Sequence, residues 1–237
     1  MDSVITLGAP QVVGSFGSSQ DLRAAKVAVA RECCDIAEIR LDLLREDGKE
    51  PEGKAWADLI GMPLLFTARR QDEGGALPLN AQQRMDLLNS ALDDASLIDI
   101  EIASIKEMKP MIDTLNARNL PWIASYHDFE KLPDKAVIEA ALDQAASAGA
   151  SVFKIAAQLS SPADVARLAD FQRADHGIAK STMGMGPLAP VSRLLCAQYG
   201  SVLNYGFMGS HPTAPGQWDA ATLKRAVADI SHVTANQ

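Results

Sequence analysis

The chain has 237 residues, and at about 150 residues per domain this length gives one or two domains, although barrel folds often fill roughly 200–250 residues as one. Apolar residues make up 47% of the chain and charged residues 22%, which excludes a collagen-like, mucin-like or disordered protein. The net charge of −8 repels nucleic acid and anionic lipid, so neither is expected as a partner.

Cysteine content and hydropathy indicate the compartment. Cys33, Cys34 and Cys196 are too few and too unevenly spaced for a disulfide framework or a C-x-x-C metal site. No apolar run approaches the roughly 18 residues of a membrane span. The start of the sequence, Met1-Asp2-Ser3, lacks the basic head and long apolar stretch of a signal peptide. We therefore expect a cytoplasmic protein with no membrane partner.

Short apolar runs rich in β-branched residues recur along the chain, and a longer segment with helical periodicity follows each of them. The eight predicted strands are Gln11–Ser15, Ile36–Arg40, Pro63–Ala68, Leu97–Glu101, Trp122–Tyr126, Ser151–Ile155, Gly177–Thr182 and Ser201–Tyr205. Strands that alternate with helices form a parallel sheet, and eight such units favour closure of the sheet. The sequence therefore predicts a (β/α)₈ barrel that forms a single domain over residues 1–237.

Local signals predict where several helices begin. A Ser or Asn cap followed three residues later by Glu or Gln, or a proline in the first turn, is typical of a helix start. Such signals occur at Asn80 with Gln83, at Ser104 with Glu107, and at Ser161-Pro162. Two further helices are predicted over Pro133–Ala148 and Asp219–Val233. The run Ser3–Leu7 is expected to form half of a small hairpin that closes the amino-terminal end of the barrel.

Charged residues cluster at the predicted carboxyl ends of the strands. In a barrel these positions face the catalytic mouth. Glu38 and Arg40 lie two residues apart on one strand, so they point to the same face. The other candidates at this end are Arg69, Glu73, Glu101, His127, Lys154 and Arg193. One mouth is therefore predicted to gather several cations, a histidine and several carboxylates.

Lys154 interrupts an otherwise apolar strand, Val152-Phe153-Lys154-Ile155-Ala156. Burial and a nearby Arg69 or Arg40 would both lower the pKa of its amine, and a neutral amine attacks carbonyl groups. Lys154 is therefore a candidate for Schiff-base formation. The alternative is a buried ion pair between Lys154 and Glu101 or Glu38.

His127 is a candidate for proton transfer, because few other side chains change protonation near neutral pH; the alternative is a histidine that caps the barrel rim. No H-E-x-x-H or similar ligand spacing occurs, so a metal is not indicated. Gly184–Ala189 fits the dinucleotide fingerprint G-x-G-x-x-A, but it lacks the acidic residue expected about 20 positions later. Cofactor binding at this stretch is therefore not favoured.

Seven motifs occur in a characteristic order along the chain. They are Glu38–Asp42, Arg69–Gly75, Asp99-x-Glu101, Ser125–Phe129, Phe153–Ala156, Ser192-Arg193 and Ala214–Gln217. In these motifs the sequence resembles the type I 3-dehydroquinate dehydratase family over nearly its whole length. The resemblance implies a (β/α)₈ barrel, a homodimer, no metal or cofactor, and dehydration of 3-dehydroquinate to 3-dehydroshikimate through an imine in the shikimate pathway.

The resemblance also implies roles for individual residues. Lys154 matches the imine-forming lysine, His127 the proton-transfer histidine, and Glu73 the carboxylate that orients this histidine. Arg193 matches the arginine that holds the substrate carboxylate. The remaining residues implied to bind substrate are Ser15, Glu38, Arg40, Arg69, Met185, Thr213 and Gln217. The loop that carries Thr213 and Gln217 is expected to act as a lid over the mouth.

The sequence departs from the family pattern at two places. Thr213 replaces the serine of a Ser-Ala-Pro-Gly-Gln motif, and Ala189-Pro190 stand where many members have glycine and an apolar residue. Two other functions remain open from the residues alone. A class I aldolase would also use a lysine on the sixth strand, but it usually has a phosphate site formed by glycine loops after the last strands. A catalytically silent barrel would serve as a binding module.

Overall fold

The structure, a computed structural model, describes residues 4–5, 9–44 and 53–234. Its centre is a sheet of eight parallel strands, as the sequence predicts. The strands are β1 (Gln11–Phe16), β2 (Ile36–Arg40), β3 (Leu64–Thr67), β4 (Leu97–Glu101), β5 (Trp122–Asp128), β6 (Val152–Gln158), β7 (Ala179–Met185) and β8 (Leu203–Met208).

Helices cover the outside of the sheet. They are α1 (Ser19–Ala24), α2 (Val27–Cys33), α3 (Ala81–Ala91), α4 (Lys109–Ala117), α5 (Lys135–Ser147), α6 (Pro162–Arg173), α7 (Ala189–Gln198) and α8 (Ala220–Thr234). Short 3₁₀ helices occupy Ala57–Leu59, Gln71–Glu73, Leu92–Asp94 and Ile102–Ser104. Within the described ranges, none of the helices combines the length and the apolar character that crossing a membrane requires.

The strands follow one another around the sheet in the order β7-β6-β5-β4-β3-β2-β1-β8. The first and last strands of this order, β7 and β8, then meet along a seam. The Val202 amide donates to the Lys180 carbonyl at 2.9 Å, and the Ser181 hydroxyl donates to the Leu203 carbonyl at 2.6 Å. These bonds bring the sheet round into a nearly closed barrel, which confirms the predicted (β/α)₈ fold.

Apolar side chains fill the amino-terminal end of the barrel interior. Seven of them have no exposed surface: Val13, Ile36, Leu65, Leu97, Ile123, Val152 and Leu203. Ile5 packs against this group and lies in a bend beside Val4. The rest of the predicted hairpin, residues 3 and 6–8, lies outside the described residues. This end of the barrel is therefore packed as a core and leaves the opposite end for polar groups.

Two of the three predicted helix starts are confirmed, and one is wrong. Asn80 and Ser161 both form capping boxes with the residue three positions later. No α-helix begins at Ser104, which instead ends a 3₁₀ turn. The Ser104 hydroxyl lies 3.3 Å from a Glu101 oxygen and accepts a bond from Arg84 at 3.0 Å, so it is not available to cap a helix. The next helix begins only at Lys109.

Candidate active site

The carboxyl ends of the strands surround a cavity. All eleven residues predicted as site residues line it, namely Ser15, Glu38, Arg40, Arg69, Glu73, His127, Lys154, Met185, Arg193, Thr213 and Gln217. The structure thus brings together side chains from strands and loops that are far apart in the sequence. Among the described residues, no three His, Cys, Asp or Glu side chains form a metal-binding group.

Lys154 lies in the interior of β6 and is only 4% exposed. Its Nζ is 3.0 Å from Asp99 Oδ2 on β4. The predicted alternative of an ion pair with Glu101 or Glu38 therefore names the wrong carboxylate. Burial lowers the pKa of the Lys154 amine, and the charge of Arg69 lowers it further, although Asp99 acts in the opposite direction. The balance favours the neutral, nucleophilic form of the amine more than in water.

Asp99 is fixed by two further partners. Arg69 Nη1 donates to Asp99 Oδ1 at 2.8 Å, and the Ser125 hydroxyl donates to the same oxygen at 2.6 Å. Burial alone would raise the pKa of Asp99, but the charges of Arg69 and Lys154 outweigh burial and hold this pKa well below its usual range. Asp99 is therefore a carboxylate at any pH near neutrality, in a fixed position beside the amine.

A chain of alternating charges continues outward from Asp99. Arg69 is also 3.1 Å from Glu101, Glu101 is 2.8 Å from Arg84, and Arg84 is 2.6 Å from Glu107 at the surface. Arg69, Glu101 and Arg84 are each at most 2% exposed. Each buried charge in this chain has an opposite charge beside it, so desolvation is compensated and the groups hold one another in position.

His127 lies near the end of β5 beside Glu73, which follows β3 in a 3₁₀ turn. Glu73 Oε2 accepts a bond from the His127 amide at 3.0 Å and lies 2.9 Å from His127 Nδ1. Since Nδ1 is occupied in this way, Nε2 is the ring nitrogen left for a substrate. Burial raises the pKa of Glu73 to about 7. Burial, together with Arg69 and Lys154, lowers the pKa of His127 well below its usual value.

The wall formed by β1 and β2 is held in place by hydrogen bonds within the protein. The hydroxyls of Ser15 and Thr67 both donate to the Glu38 carboxylate, the latter at 2.7 Å. Arg40 binds Asp42 through two bonds of 2.9 and 2.8 Å and donates to the Gly74 carbonyl at 3.1 Å. These polar groups are therefore oriented before any ligand enters.

Arg193 lies in the second turn of α7 and is 2% exposed. Its Nη1 donates to the Tyr205 carbonyl at 2.8 Å and contacts the Met183 sulfur at 3.4 Å. No carboxylate of the described residues forms an ion pair with it, and its Nε has no hydrogen-bond partner there. Burial lowers the pKa of Arg193 to about 10, so it is still a cation at neutral pH. A buried cation without a counter-ion at a cavity wall is suited to bind an anion.

The loop after β8 contributes the last part of the cavity wall. The amide and hydroxyl of Thr213 donate to Gln217 Oε1 at 3.0 and 2.9 Å. Gly216 has a φ of +72°, and a Cβ at this position would lie 2.4 Å from the Gly186 carbonyl oxygen, so only glycine allows this close approach. The loop tip thus rests on the segment after β7. That it moves as a lid stays a prediction.

Two titratable residues close to Lys154 were missed as site residues by the sequence analysis. Asp99 was noted only as part of a motif, although it is a charged residue within an apolar strand and lies two positions from Glu101 on the same face. Tyr205 also lines the cavity, and its ring centroid is 4.2 Å from Lys154 Nζ. An aromatic residue in an apolar strand gives no signal that separates a cavity wall from a core position.

A parallel barrel with a buried amine, a carboxylate-paired histidine and an unpaired arginine at the carboxyl ends of its strands has the architecture of a (β/α)₈-barrel enzyme. Comparison with known proteins identifies the family. Residues 15–234 match the model of the type I 3-dehydroquinase family. The chain belongs to this family, which confirms the resemblance seen in the motifs.

Individual relatives agree with this assignment. A 3-dehydroquinate dehydratase of Methanocella arvoryzae is 32% identical over 88% of this chain and 91% of its own length. The 3-dehydroquinate dehydratase of Salmonella typhimurium is 32% identical over 98% of this chain and 96% of its own length. The crystal structure of 3-dehydroquinate dehydratase from Geobacillus kaustophilus superimposes with a TM-score of 0.83 at 24% identity, covering 96% of this chain and 93% of that one.

Proposed function

We propose that the protein dehydrates 3-dehydroquinate to 3-dehydroshikimate through a Schiff base on Lys154. The observation that carries the proposal is the position of Lys154. Its amine is buried, has a lowered pKa, and lines one cavity with His127 and the unpaired Arg193. The family assignment supplies the substrate, and the cavity offers a partner for each group of it.

The first step is formation of the imine. The neutral amine of Lys154 attacks the ketone carbon of the substrate, one proton is taken up from solvent, and water leaves to give an iminium ion. The iminium attracts electrons and so makes the adjacent C2 proton acidic. Asp99, held by Arg69 and Ser125, lies beside the nitrogen and stabilises the positive charge that forms on it.

His127 then removes the C2 proton to give an enamine. Its Nδ1 faces Glu73 at 2.9 Å, so ionised Glu73 holds a proton on Nδ1 and leaves the Nε2 lone pair as the base. The enamine expels the C1 hydroxyl, and protonated His127 returns its proton to this leaving group. Use of one group for both transfers is consistent with a syn elimination. Hydrolysis of the product imine regenerates the lysine.

Arg193 suits the substrate carboxylate, because it is a buried cation without a carboxylate partner among the described residues. Glu38 and Arg40 suit the ring hydroxyls, since both are fixed by other protein groups and face the same cavity. A class I aldolase would instead require a phosphate site. Arg193 and Gln217, which line the same cavity, offer a carboxylate site and a hydroxyl partner.

A direct assay tests the proposal. Addition of 3-dehydroquinate to the purified protein is expected to produce a growing ultraviolet absorbance as the conjugated enone forms. Lys154→Met, which keeps an unbranched side chain but removes the amine, is expected to reduce the rate to background. Folded protein that produces no enone would refute the proposed activity, and full activity of Lys154→Met would refute the Schiff base alone.

Three wider assignments belong to this proposal. We place the protein in the shikimate pathway and expect a homodimer, both on the family resemblance, and light scattering of the purified protein tests the second. We also propose a cytoplasmic location, supported by three cysteines that are all free thiols, as in a reducing compartment. Fractionation of the source cells tests the location.

A further inference from the structure

Tyr205 carries a buried hydroxyl to which none of the described residues forms a hydrogen bond. The residue lies on β8, is 4% exposed and lines the cavity. Its hydroxyl has no hydrogen-bond partner among the described residues. Burial raises the pKa of this phenol well above its usual value, and the charges of Glu38 and Asp99 raise it further. The group is therefore always protonated and can donate a hydrogen bond.

Neither nearby carboxylate accepts that bond. Glu38 already accepts bonds from Ser15 and Thr67, and Asp99 accepts bonds from Arg69, Ser125 and Lys154. A buried hydroxyl that finds no partner costs free energy, and phenylalanine would fill the same space without that cost. The donor is thus available for an atom that enters the cavity.

The ring position defines which atom this is. The centroid of the Tyr205 ring lies 4.2 Å from Lys154 Nζ, and the hydroxyl extends from the ring by a single C–O bond. The oxygen of a carbonyl group that Nζ attacks is therefore close to the Tyr205 ring. We propose that Tyr205 donates a hydrogen bond to the carbonyl oxygen of the substrate while Lys154 adds to the carbonyl carbon. This inference rests on the proposed Schiff-base function and names a further catalytic residue for it.

The chemistry of imine formation explains why a donor is useful there. The nitrogen lone pair forms the N–C bond, and the π electrons of the carbonyl move onto oxygen, which becomes negative. One proton then passes from nitrogen to that oxygen, and His127 delivers a second proton that it has taken up from solvent, which leaves His127 neutral for its later role as base. The C–O bond breaks, water leaves, and the nitrogen lone pair forms the iminium. Tyr205 keeps its own proton throughout and stabilises the negative oxygen, as donors of an oxyanion hole do.

Oxygen exchange isolates this step. The product 3-dehydroshikimate is incubated with enzyme in ¹⁸O-labelled water, and mass spectrometry follows the label entering its ketone, after subtraction of the enzyme-free rate. Each exchange requires imine formation and hydrolysis but no C2 proton transfer. Loss of one oxyanion donor typically slows catalysis by about 10²–10³-fold. Because other polar groups also surround the amine, we expect Tyr205→Phe to slow exchange by about tenfold to a hundredfold.

Two controls separate catalysis from structure. Tyr199→Phe makes the same chemical change at the exposed end of α7, at a residue that does not line the cavity, and it is expected to leave exchange unchanged. The melting temperature of Tyr205→Phe is expected to equal or exceed that of the unmodified protein, because an unsatisfied buried group is removed. In turnover, kcat is expected to fall while KM changes little.

The proposal fails if Tyr205→Phe exchanges oxygen within about twofold of the unmodified protein, or if it melts at a clearly lower temperature, which would make the hydroxyl structural. Failure of the underlying function is visible separately. In that case the unmodified protein itself neither forms enone from 3-dehydroquinate nor catalyses oxygen exchange into 3-dehydroshikimate.

Discussion

The two ends of the barrel interior are buried to nearly the same degree, but one contains apolar side chains and the other contains charged side chains. At the amino-terminal end Leu65 and Leu97 have no exposed surface, and their burial stabilises the fold. Two positions later along the strand, Asp99 is 1% exposed, and Lys154 nearby is 4% exposed. Burial of such charges costs free energy unless each has a partner. The apolar end of the interior stabilises the fold, and the polar end carries the candidate catalytic groups.

Two buried arginines differ in whether neighbouring carboxylates compensate the cost of burying their charge. Arg69 has carboxylates of Asp99 and Glu101 beside it, and although burial lowers its pKa, these charges outweigh burial and hold the pKa well above its usual value. Arg193 is equally buried and has no such partner in the described part of the chain, and burial lowers its pKa to about 10. The difference separates a cation that organises the site from one that is available to a ligand.

After loss of the Lys154 amine itself, the largest effect is expected at the polar end, from His127→Gln. Loss of a general base typically slows a reaction by about 10²–10⁴-fold, and glutamine keeps a polar side chain beside Glu73. We expect kcat to fall by this factor while the melting temperature changes little. Steady-state kinetics with thermal unfolding tests both. A fall of less than about tenfold would assign proton transfer to another group.

The matching substitution at the apolar end is Leu65→Ala. Truncation of a buried leucine typically lowers the free energy of unfolding by about 2–5 kcal/mol, and Leu65 has no exposed surface. Denaturant unfolding is expected to show this loss, while kcat per folded molecule stays within about twofold. A large fall in kcat with normal stability would contradict the division between the two ends.

Arg193→Gln is expected to act mainly on substrate binding. A hydrogen bond to a charged group contributes about 1.5–3 kcal/mol, so KM should rise by roughly tenfold to a hundredfold with a smaller fall in kcat. The matched variant is Arg40→Gln, since Arg40 is paired with Asp42 whereas Arg193 is not. Steady-state kinetics on both variants makes the comparison. An unchanged KM in Arg193→Gln would place the substrate carboxylate elsewhere.

The smallest effect is a change in pH dependence. Glu73 has a pKa raised to about 7 by burial, and it must be ionised to accept the Nδ1 proton of His127. Below this pH Glu73 is protonated and the Nε2 base is lost, so kcat/KM is expected to rise as the pH increases through about 7. Glu73→Gln has no such titration and should flatten this acidic limb. Persistence of the limb in Glu73→Gln would assign it to another group.

Apolar periodicity predicts where each strand begins better than where it ends. β5, β6, β7 and β8 all continue two or three residues beyond their predicted ends, for example to Gln158 rather than Ile155. The backbone ladder continues through these residues. In β5, β6 and β7 the side chains of these extra residues are polar, small or at the cavity wall, so the apolar pattern stops before the strand does. The unpredicted residues are therefore those nearest the site.

Residue alternation also predicts which face a side chain occupies, but not its partner. It places Lys154 and the acidic residues of β4 inside the barrel, yet Asp99 rather than Glu101 reaches the amine, because Glu101 is taken by Arg69 and Arg84. Ser104 was predicted to start a helix because Glu107 follows it three residues later, and this prediction is wrong because Ser104 has other partners. Its hydroxyl belongs to the cluster of Glu101 and Arg84, which local sequence does not reveal.

The central claim is that the buried amine of Lys154 forms the covalent intermediate. Borohydride reduces an iminium under mild conditions, so treatment of the protein with 3-dehydroquinate and borohydride should abolish activity. Peptide mass spectrometry should then find one adduct, on Lys154, and none after borohydride alone. An adduct on a different lysine, or continued turnover with no adduct at all, would contradict the account.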